Sequence, residues 1–552
     1  MASLIGWFSE ALSLKRKTKR ITRHRSLPAR RTPLPHRIQV TRRAEKGLIG
    51  LVYSLLVVVV LLPSGASGPV LLPAVGTAAV VLLLNGLFAR YLALFLREVA
   101  ASFGRLLLFL TLSLFVLTMA RVSIASESYP PLFVPLPFLA IVLSAVVNQR
   151  FAFEATAYVT ALVGLALARR YEGGELLVHL LVPFTGALVA GLSARSIRRR
   201  SRLVRIGLVT GLAQVATFLG LVLALRGPGP YGDLRELAYG AGCAFFHGIA
   251  TGIVVLGILP VLEYVFRVIT DITLLELSDQ YQQPVLKKLL LEAPGTHHHS
   301  MMVATLAEAA AERIGANGLL ARVGAIYHDI GKLNKPEYFT ENGEERARRL
   351  HDALTPAMST LIICAHPKDG MELGRYYDLP PAILDFIEQH HGNTVVEYFY
   401  EKARRLQGEG SPRDASAFRY PGPRPRTKEV GIVMFADSVE AASRVLKDPQ
   451  PSRIETLIHE LGMKKLLDHQ FDDCALTVRE LSAIEDAFCQ VLLGVLHKRP
   501  AYPTKDTSLA ATSSGTHGDT RSGKTTTRDP RADEHKSEAR DRDRPKLGEF
   551  FS

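Results

Sequence analysis

Hydrophobic residues crowd between about Gly47 and Val268, whereas polar and charged residues dominate both ends of the chain and most of the region after Asp271. A helix of about 20 apolar residues crosses the hydrocarbon core of a bilayer. Scanning at that length predicts about eight transmembrane helices, near residues 47–63, 69–88, 104–122, 131–148, 152–168, 175–194, 204–226 and 238–260. The fourth of these candidate spans contains three prolines, Pro131, Pro135 and Pro137, which disfavour a regular helix.

After Asp271 the apolar residues recur at helical spacing between polar turns, and strand-like alternation is nearly absent. The pattern predicts helices near 304–312, 319–330, 382–389, 429–446 and 476–496, with a surface loop near 403–427. We therefore expect an all-α protein, a multi-span transmembrane helix bundle followed by an all-helical domain. The expected units are a basic arm (1–46), the bundle (47–268), the second domain (269–502) and a disordered tail (503–552).

The net charge of +14 is concentrated beside the apolar segments. Basic residues that flank spans keep loops on the cytoplasmic side and attract anionic lipid headgroups, so the bilayer is the expected partner and nucleic acid is not. The four cysteines form no CxxC pair, which argues against a disulfide framework or a zinc ribbon. One basic group fills the N-terminal arm, and a second comprises Arg195, Arg198, Arg199, Arg200, Arg202 and Arg205.

The same rule predicts the orientation of the bundle. With the arm inside, the uncharged connection 63–69 faces outward and the connection bearing Arg90 and Arg97 faces inward. An even number of spans then returns the C-terminal half to the cytoplasm. Arg169 and Arg170 fall on the outer side and oppose this scheme.

Ionisable residues within spans are functional candidates because burying them in lipid is costly. Glu154, His179 and His247 are the ones present here, and the alternative is that they simply face the bundle interior. Polar residues in the spans are few and no inverted repeat is visible, which argues against a transporter.

Histidines and aspartates in the second half of the chain carry the chemistry. Imidazole and carboxylate ligands together suit Fe, Mn, Zn or Co, and two such ions need about this many protein ligands. Each residue alone is weak evidence for a metal site, since a histidine is more often structural. Only one of His297, His298 and His299 is expected to bind metal. The candidate metal ligands, all in or beside predicted helices, are His299, His328, Asp329, His366, His390, His391 and Asp437.

This set predicts hydrolysis of a phosphoester. Two cations about 3.5–4 Å apart can share a carboxylate and a water, and they lower the pKa of that water enough to give hydroxide at neutral pH. They also offset the charge that grows on the phosphate oxygens in the transition state. We expect Asp329, which adjoins His328, to bridge the two metals. Lys332, one turn further on, is expected to contact a phosphate oxygen.

Four segments make the resemblance to a known family specific. Residues 291–300 (LEAPGTHHHS), 327–332 (YHDIGK), 386–392 (FIEQHHG) and 435–442 (FADSVEAA) resemble the PgpH family of seven-transmembrane-receptor HD phosphodiesterases. Those proteins degrade cyclic di-AMP. The resemblance covers about 270–500 closely, and the membrane region agrees in layout.

The resemblance implies a di-iron or di-manganese centre in an HD-type metallophosphohydrolase domain. One metal would be held by His299, His328, Asp329 and Asp437, and the other by Asp329, His366, His390 and His391. It further implies linearisation of cyclic di-AMP to pApA by an enzyme of the bacterial cytoplasmic membrane, with the HD domain facing the cytoplasm. The Gly-Tyr-Pro signature of the related cyclic di-GMP enzymes is not evident, which favours the adenine dinucleotide.

Two departures from the family stand out. The large extracytoplasmic domain that usually separates the first two spans is replaced by the short turn 63–69, and residues 344–351 differ from the usual Asn-Pro-His stretch, although His351 is in place to supply its histidine. Two alternative functions remain open. One is a phosphohydrolase acting on a mononucleotide, and the other is a receptor that binds a nucleotide without cleaving it.

Overall fold

The computed structural model describes residues 36–62, 71–96, 99–100, 102–125, 131–195, 197–225, 233–407, 415–446 and 450–496. Within these ranges the chain is helical, and its only β-type pairing is an isolated bridge between Val395 and Arg419. The predicted all-α class is therefore confirmed. Residues 1–35 of the basic arm and the whole tail predicted to be disordered lie outside the described residues. Contacts divide the chain into two compact units, Met1–Asp279 and Gln280–Ser552.

The first unit is a bundle of apolar helices. Six of its helices are long and apolar enough to cross a membrane, whereas Gly47–Leu61 and the fourth helix are apolar but shorter. The chain is accordingly a multi-pass membrane protein. Its helices are α1 (His36–Leu61), α2 (Leu71–Phe95), α3 (Phe103–Ala125), α4 (Leu136–Val146), α5 (Gln149–Leu167), α6 (Gly173–Ser193), α7 (Ser201–Leu225), α8 (Leu234–Phe266) and the short α9 (Asp271–Ser278).

The candidate span near 131–148 forms a shorter helix than predicted, α4, of 11 residues. A 3₁₀ turn at Pro131–Phe133 precedes α4, which begins only at Leu136. Each proline lacks a backbone N–H and fixes its own φ, so a helix cannot run unbroken through this stretch, and Pro137 is tolerated in the first turn of α4. The segment is still buried, because Leu136 and Leu139 are wholly inaccessible.

Helices α7 and α8 pack closely through paired glycines. A Cβ on Gly248 would lie 2.2 Å from the backbone nitrogen of Gly211, and one on Gly252 would lie 2.6 Å from the carbonyl oxygen of Leu203. Small residues four apart let helix backbones approach in this way. Polar groups in the bundle are also paired across helices, since the Gln214 amide donates to His247 Nδ1 at 3.1 Å. Glu154 accepts hydrogen bonds from Tyr91 and Arg150.

The second unit packs its other helices around the buried helix α18. The predicted helices near 304–312, 319–330, 382–389, 429–446 and 476–496 fall within or overlap the observed ones, and α17 extends into the predicted loop as far as Gln407. The helices of this unit are α10 (Pro284–Glu292), α11 (Pro294–Arg313), α12 (Gly318–Tyr327), α13 (Glu344–Asp352), α14 (Pro356–Ile363), α15 (His366–Tyr376), α16 (Pro381–Gln389), α17 (Glu397–Gln407), α18 (Lys428–Ser443), α19 (Pro451–Leu467) and α20 (Val478–Leu496).

Candidate metal centre

The His328-Asp329 pair stands where α12 ends. Asn317 caps the start of this helix by accepting a hydrogen bond from the backbone N–H of Leu320. After His328 the chain tightens into a 3₁₀ turn at Ile330–Asn334. That turn packs against the start of α15, so closely that a Cβ on Gly331 would lie 1.9 Å from the carbonyl oxygen of His366. The glycine therefore brings Asp329 and His366 together.

Helices α11 and α18 supply the next three groups. His299 lies on the buried face of α11, and neither His297, which pairs with Gln280, nor the exposed His298 joins the site. On α18, Asp437 and Glu440 are three residues apart and so share a face. The Nε2 atom of His299 lies 3.0 Å from Asp437 Oδ1, and its Nδ1 lies 2.5 Å from Glu440 Oε2.

The remaining histidines sit at helix ends. His366 begins α15, and His390 and His391 directly follow α16. Gly392, with a φ of +54°, then turns the chain away in a conformation that favours glycine. His390 is fully buried, whereas His391 is partly accessible.

All seven predicted ligands converge on one place. Ligand atoms of His299, His328 and Asp437 lie within 4.8 Å of one another, as do those of a second group, Asp329, His366, His390 and His391. Asp329 faces both groups. Its Oδ1 lies 3.3 Å from His366 Nε2, and its Oδ2 lies 3.2 Å from His328 Nε2.

Backbone hydrogen bonds fix how three of the imidazoles point. The Nδ1 atoms of His328, His366 and His390 lie 2.6, 2.7 and 3.0 Å from the carbonyl oxygens of Ala325, Ile363 and Phe386. A carbonyl can only accept, so each Nδ1 carries a proton and the neutral ring turns its Nε2 lone pair to the centre.

The donor set fits cations. The Nε2 atoms of His366 and His390 are 3.2 Å apart, and two lone pairs that close repel unless a positive charge lies between them. His328 Nε2 and Asp329 Oδ1 are buried and accept no hydrogen bond among the described residues, whereas Lys332 Nζ lies 2.8 Å from Asp329 Oδ2. Buried acceptors without donors are costly, and a bound cation would satisfy them.

The protonation of the histidines differs between the two groups of ligands. Burial lowers the pKa of His366 to about 3 and lowers those of His390 and His391, so these rings are neutral and able to bind metal. At His299 burial also disfavours the charged form, but hydrogen bonds to Asp437 and Glu440 outweigh it and raise the pKa to about 10. A metal that binds His299 must therefore displace a proton.

Lys332, predicted to contact a phosphate oxygen, lies between two carboxylates. Its Nζ is 2.8 Å from both Asp329 Oδ2 and Glu341 Oε1, and it lies over the ring of Phe339. Burial opposes the charge, yet the carboxylates raise the pKa of Lys332 above its usual range. The lysine thus enters the site as a permanent positive charge beside Asp329.

Sequence reasoning missed several groups beside the ligands. Glu440 orients His299, and Glu341 holds Lys332. The ring of Tyr420 stacks on His391 with centroids 4.1 Å apart. Lys465 is half-buried and close enough to Asp437 to interact electrostatically with it. The spacing of Asp437 and Glu440 could have suggested the first of these, because it places both carboxylates on one helical face.

His351 lies outside both groups of ligands. Its Nε2 is 2.9 Å from the carbonyl oxygen of Tyr338, and its ring packs against Phe399. The altered stretch that contains it forms helix α13. His351 therefore supports the fold beside the site.

Comparisons with known proteins agree with this architecture. Residues 71–270 match the family model described as "7TM receptor with intracellular HD hydrolase", and residues 296–442 match the HD domain model. The chain is 38% identical over 379 residues to the cyclic-di-AMP phosphodiesterase PgpH of Bacillus subtilis, an alignment that covers 67% of this chain and 51% of that protein. It is 37% identical over 371 residues to the protein of the same name from Listeria monocytogenes, covering 67% and 50%.

Among solved structures, the HD domain of L. monocytogenes PgpH in complex with cyclic-di-AMP is 45% identical, with a TM-score of 0.37, and covers 40% of this chain and 100% of that one. The chain spans about half the length of the curated relatives that it matches. The matched HD region contains all seven convergent residues, from His299 to Asp437.

Proposed function

The chain belongs to the family of 7TM receptors with an intracellular HD hydrolase, and from that premise we propose that it is a phosphodiesterase that hydrolyses cyclic di-AMP to pApA. The substrate is proposed from the two relatives, both named cyclic-di-AMP phosphodiesterases. The reaction is proposed from the donor set, which unites imidazole and carboxylate ligands around one buried aspartate.

The position of Asp329 supports a two-metal site most strongly. This carboxylate is 1% exposed, pairs through Oδ2 with Lys332 at 2.8 Å, and turns one oxygen to each group of ligands. We propose that His299, His328, Asp329 and Asp437 hold one ion and that Asp329, His366, His390 and His391 hold the other. The two ions are proposed to be Fe or Mn, because mixed nitrogen and oxygen ligands suit both.

When bound, two such ions would supply a water of lowered pKa and positive charge for the phosphate oxygens. The protein's part is to orient the side chains that would bind the ions. Three backbone carbonyls hold His328, His366 and His390 with their Nε2 atoms inward, which keeps the site arranged before substrate arrives. Glu440 holds His299, and Lys332 holds Asp329 while adding positive charge.

We propose that two further groups contact the substrate. Lys465 would bind a phosphate oxygen from the α19 side of the site, since it carries a positive charge near Asp437 and forms no ion pair within the described structure. The partly accessible ring of His391, backed by the buried ring of Tyr420, would contact an adenine ring, because aromatic rings stack on bases whatever their sequence.

The proposed location is the bacterial cytoplasmic membrane with the HD domain in the cytoplasm. The basic residues between α6 and α7 favour that side for the adjoining ends of these helices. The family description, with its intracellular hydrolase, supports the same orientation.

Product analysis tests the proposal. The purified full chain, loaded with Mn²⁺ in detergent micelles, would be offered cyclic di-AMP, cyclic di-GMP, pApA and AMP in parallel. We expect pApA from cyclic di-AMP, and a loss of at least about 1,000-fold in rate in Asp329→Ala, since both ions would lose a ligand. Cleavage of AMP with no cleavage of cyclic di-AMP would assign a mononucleotide phosphohydrolase instead. Binding of cyclic di-AMP without any product would assign a receptor.

A further inference from the structure

The first unit contains a basic pocket that the phosphodiesterase reaction does not use. Its volume is about 790 Å³, within the range of about 300–1,000 Å³ that is usual for small-molecule sites. The pocket lies where α6 ends and α7 begins. It is lined by Ser193, Arg198, Arg199, Ser201, Arg202, Arg205, Ile206 and Val209.

The described walls of this pocket carry positive charges and no negative charge. Four of the lining residues are arginines, and no described lining residue is an aspartate or glutamate. Helix α9 supplies a partner for Arg200, which lies between α6 and α7 but does not line the pocket, since Arg200 is 2.6 Å from Glu276. Burial raises the pKa of Asp271, and the neighbouring Arg198 opposes that rise. Guanidinium groups gathered around one cavity repel one another, and an anion between them would relieve that repulsion.

Arginine also selects the kind of anion. Its planar fork of donors matches the oxygens of a phosphate, and Arg199 and Arg205 are both exposed with no ion pair among the described residues. The pocket includes Ser201 and Arg202, which open the 25-residue helix α7. Backbone N–H groups and the helix dipole at such an end add to the attraction for negative charge.

The wall along α7 changes from charged to apolar over two turns. Arg205, Ile206 and Val209 lie three, four and seven residues after Arg202, so all four share one face of the helix. Val209 is 46% exposed and lies within α7, one of the helices that are long and apolar enough to cross a membrane. A ligand that fills this pocket meets guanidinium groups at one end and an aliphatic surface at the other.

We propose that this pocket is a binding site for the phosphate headgroup of an anionic membrane phospholipid. The arginines bind the phosphate, and the exposed Val209 contacts the start of an acyl chain. A soluble phosphate compound shares the headgroup chemistry but leaves the aliphatic surface in contact with water. The site is independent of the metal centre and of the proposed reaction.

Lipid binding to the purified full chain in detergent micelles tests the proposal. The probe is fluorescent phosphatidylglycerol, and the test variant is Arg199→Gln/Arg205→Gln. We expect the dissociation constant to rise about thirty-fold, since each arginine near an anionic lipid contributes roughly five- to six-fold. The charge-retaining variant Arg199→Lys/Arg205→Lys should keep most of the affinity. The matched control is Arg90→Gln/Arg105→Gln, which removes two arginines of the first unit that do not line the pocket.

Each outcome decides between sources of the ligand. Equal affinity of the wild type and Arg199→Gln/Arg205→Gln for phosphatidylglycerol would overturn the proposal, as would equal affinity of the wild type for fluorescent phosphatidylcholine. If glycerol 3-phosphate displaces the labelled lipid at a concentration close to the lipid's own dissociation constant, the pocket binds a soluble anion and the lipid proposal fails. Size-exclusion profiles of all variants establish that they fold alike.

Discussion

Replacing Glu440 by glutamine is expected to weaken metal binding without removing a metal ligand. Glu440 is 4% exposed, and its Oε2 accepts the Nδ1–H of His299 at 2.5 Å while Oε1 pairs with Arg444 at 2.6 Å. Glutamine keeps the shape and an acceptor oxygen but removes the charge. The imidazole then becomes a poorer donor at Nε2, because a charged partner at Nδ1 increases its basicity.

The size of the effect follows from that position. Changes to the group that orients a metal-bound histidine typically cost 10–100-fold in metal affinity or activity. Only one of the seven proposed ligands depends on Glu440, so we expect about tenfold for glutamine. Glu440→Ala should cost more, since it leaves both His299 Nδ1–H and the Arg444 guanidinium without their partner.

The assay is the initial rate of cyclic di-AMP hydrolysis by the full chain as a function of free Mn²⁺. Glu440→Gln should need about tenfold more Mn²⁺ for half-maximal rate and should recover most of the wild-type rate at saturation. Glu460→Gln, which changes an exposed glutamate on α19, is the matched control. The reasoning is refuted if Glu440→Gln has the wild-type Mn²⁺ dependence, or if its rate is lost at every Mn²⁺ concentration.

Three further predictions test other parts of the site. His366→Ala should leave about one tightly bound Mn²⁺ per chain and lower the rate at least about 100-fold, and two retained ions by elemental analysis would contradict its assignment. Gly331→Ala should lower the unfolding temperature, because its Cβ would lie 1.9 Å from the carbonyl oxygen of His366. Gly494→Ala, whose Cβ would have nothing within 4 Å, should leave that temperature unchanged, and equal melting curves for the two variants would contradict the prediction. Burial lowers the pKa of Lys465 to about 8, so the KM for cyclic di-AMP should rise as pH increases through that value. Lys465→Arg should abolish the rise. A KM of the wild type that does not change across this pH range would contradict the prediction.

The ligand set could be predicted from the sequence because each residue carries its own chemistry. A helix end that reads His328-Asp329, two adjacent histidines and a later aspartate suggested a common centre before any contact was known. The bridging position of Asp329 was predicted as well, but the sequence could not show the close packing of Gly331 against the start of α15 that brings Asp329 to His366. The class of the fold followed equally directly from the helical spacing of apolar residues.

What the sequence did not yield depends on partners distant in the chain. Glu440 gains its role from His299, 141 residues away, and Tyr420 gains its role by stacking on His391. Neither residue type indicates a metal site by itself. In the bundle, the fourth span is shorter than its apolar composition predicted, because prolines at its start delay the beginning of the helix.

The most direct test of the two-metal phosphodiesterase is to count bound Mn²⁺ and measure cyclic di-AMP hydrolysis in the same samples. Metal-free full chain would be titrated with Mn²⁺ from zero to three equivalents, with bound metal determined after each addition. We expect little activity up to one ion per chain and a steep rise as the second binds, with Asp329→Ala inactive throughout. Full activity with a single bound ion, or hydrolysis by the metal-free chain, would contradict the proposed mechanism.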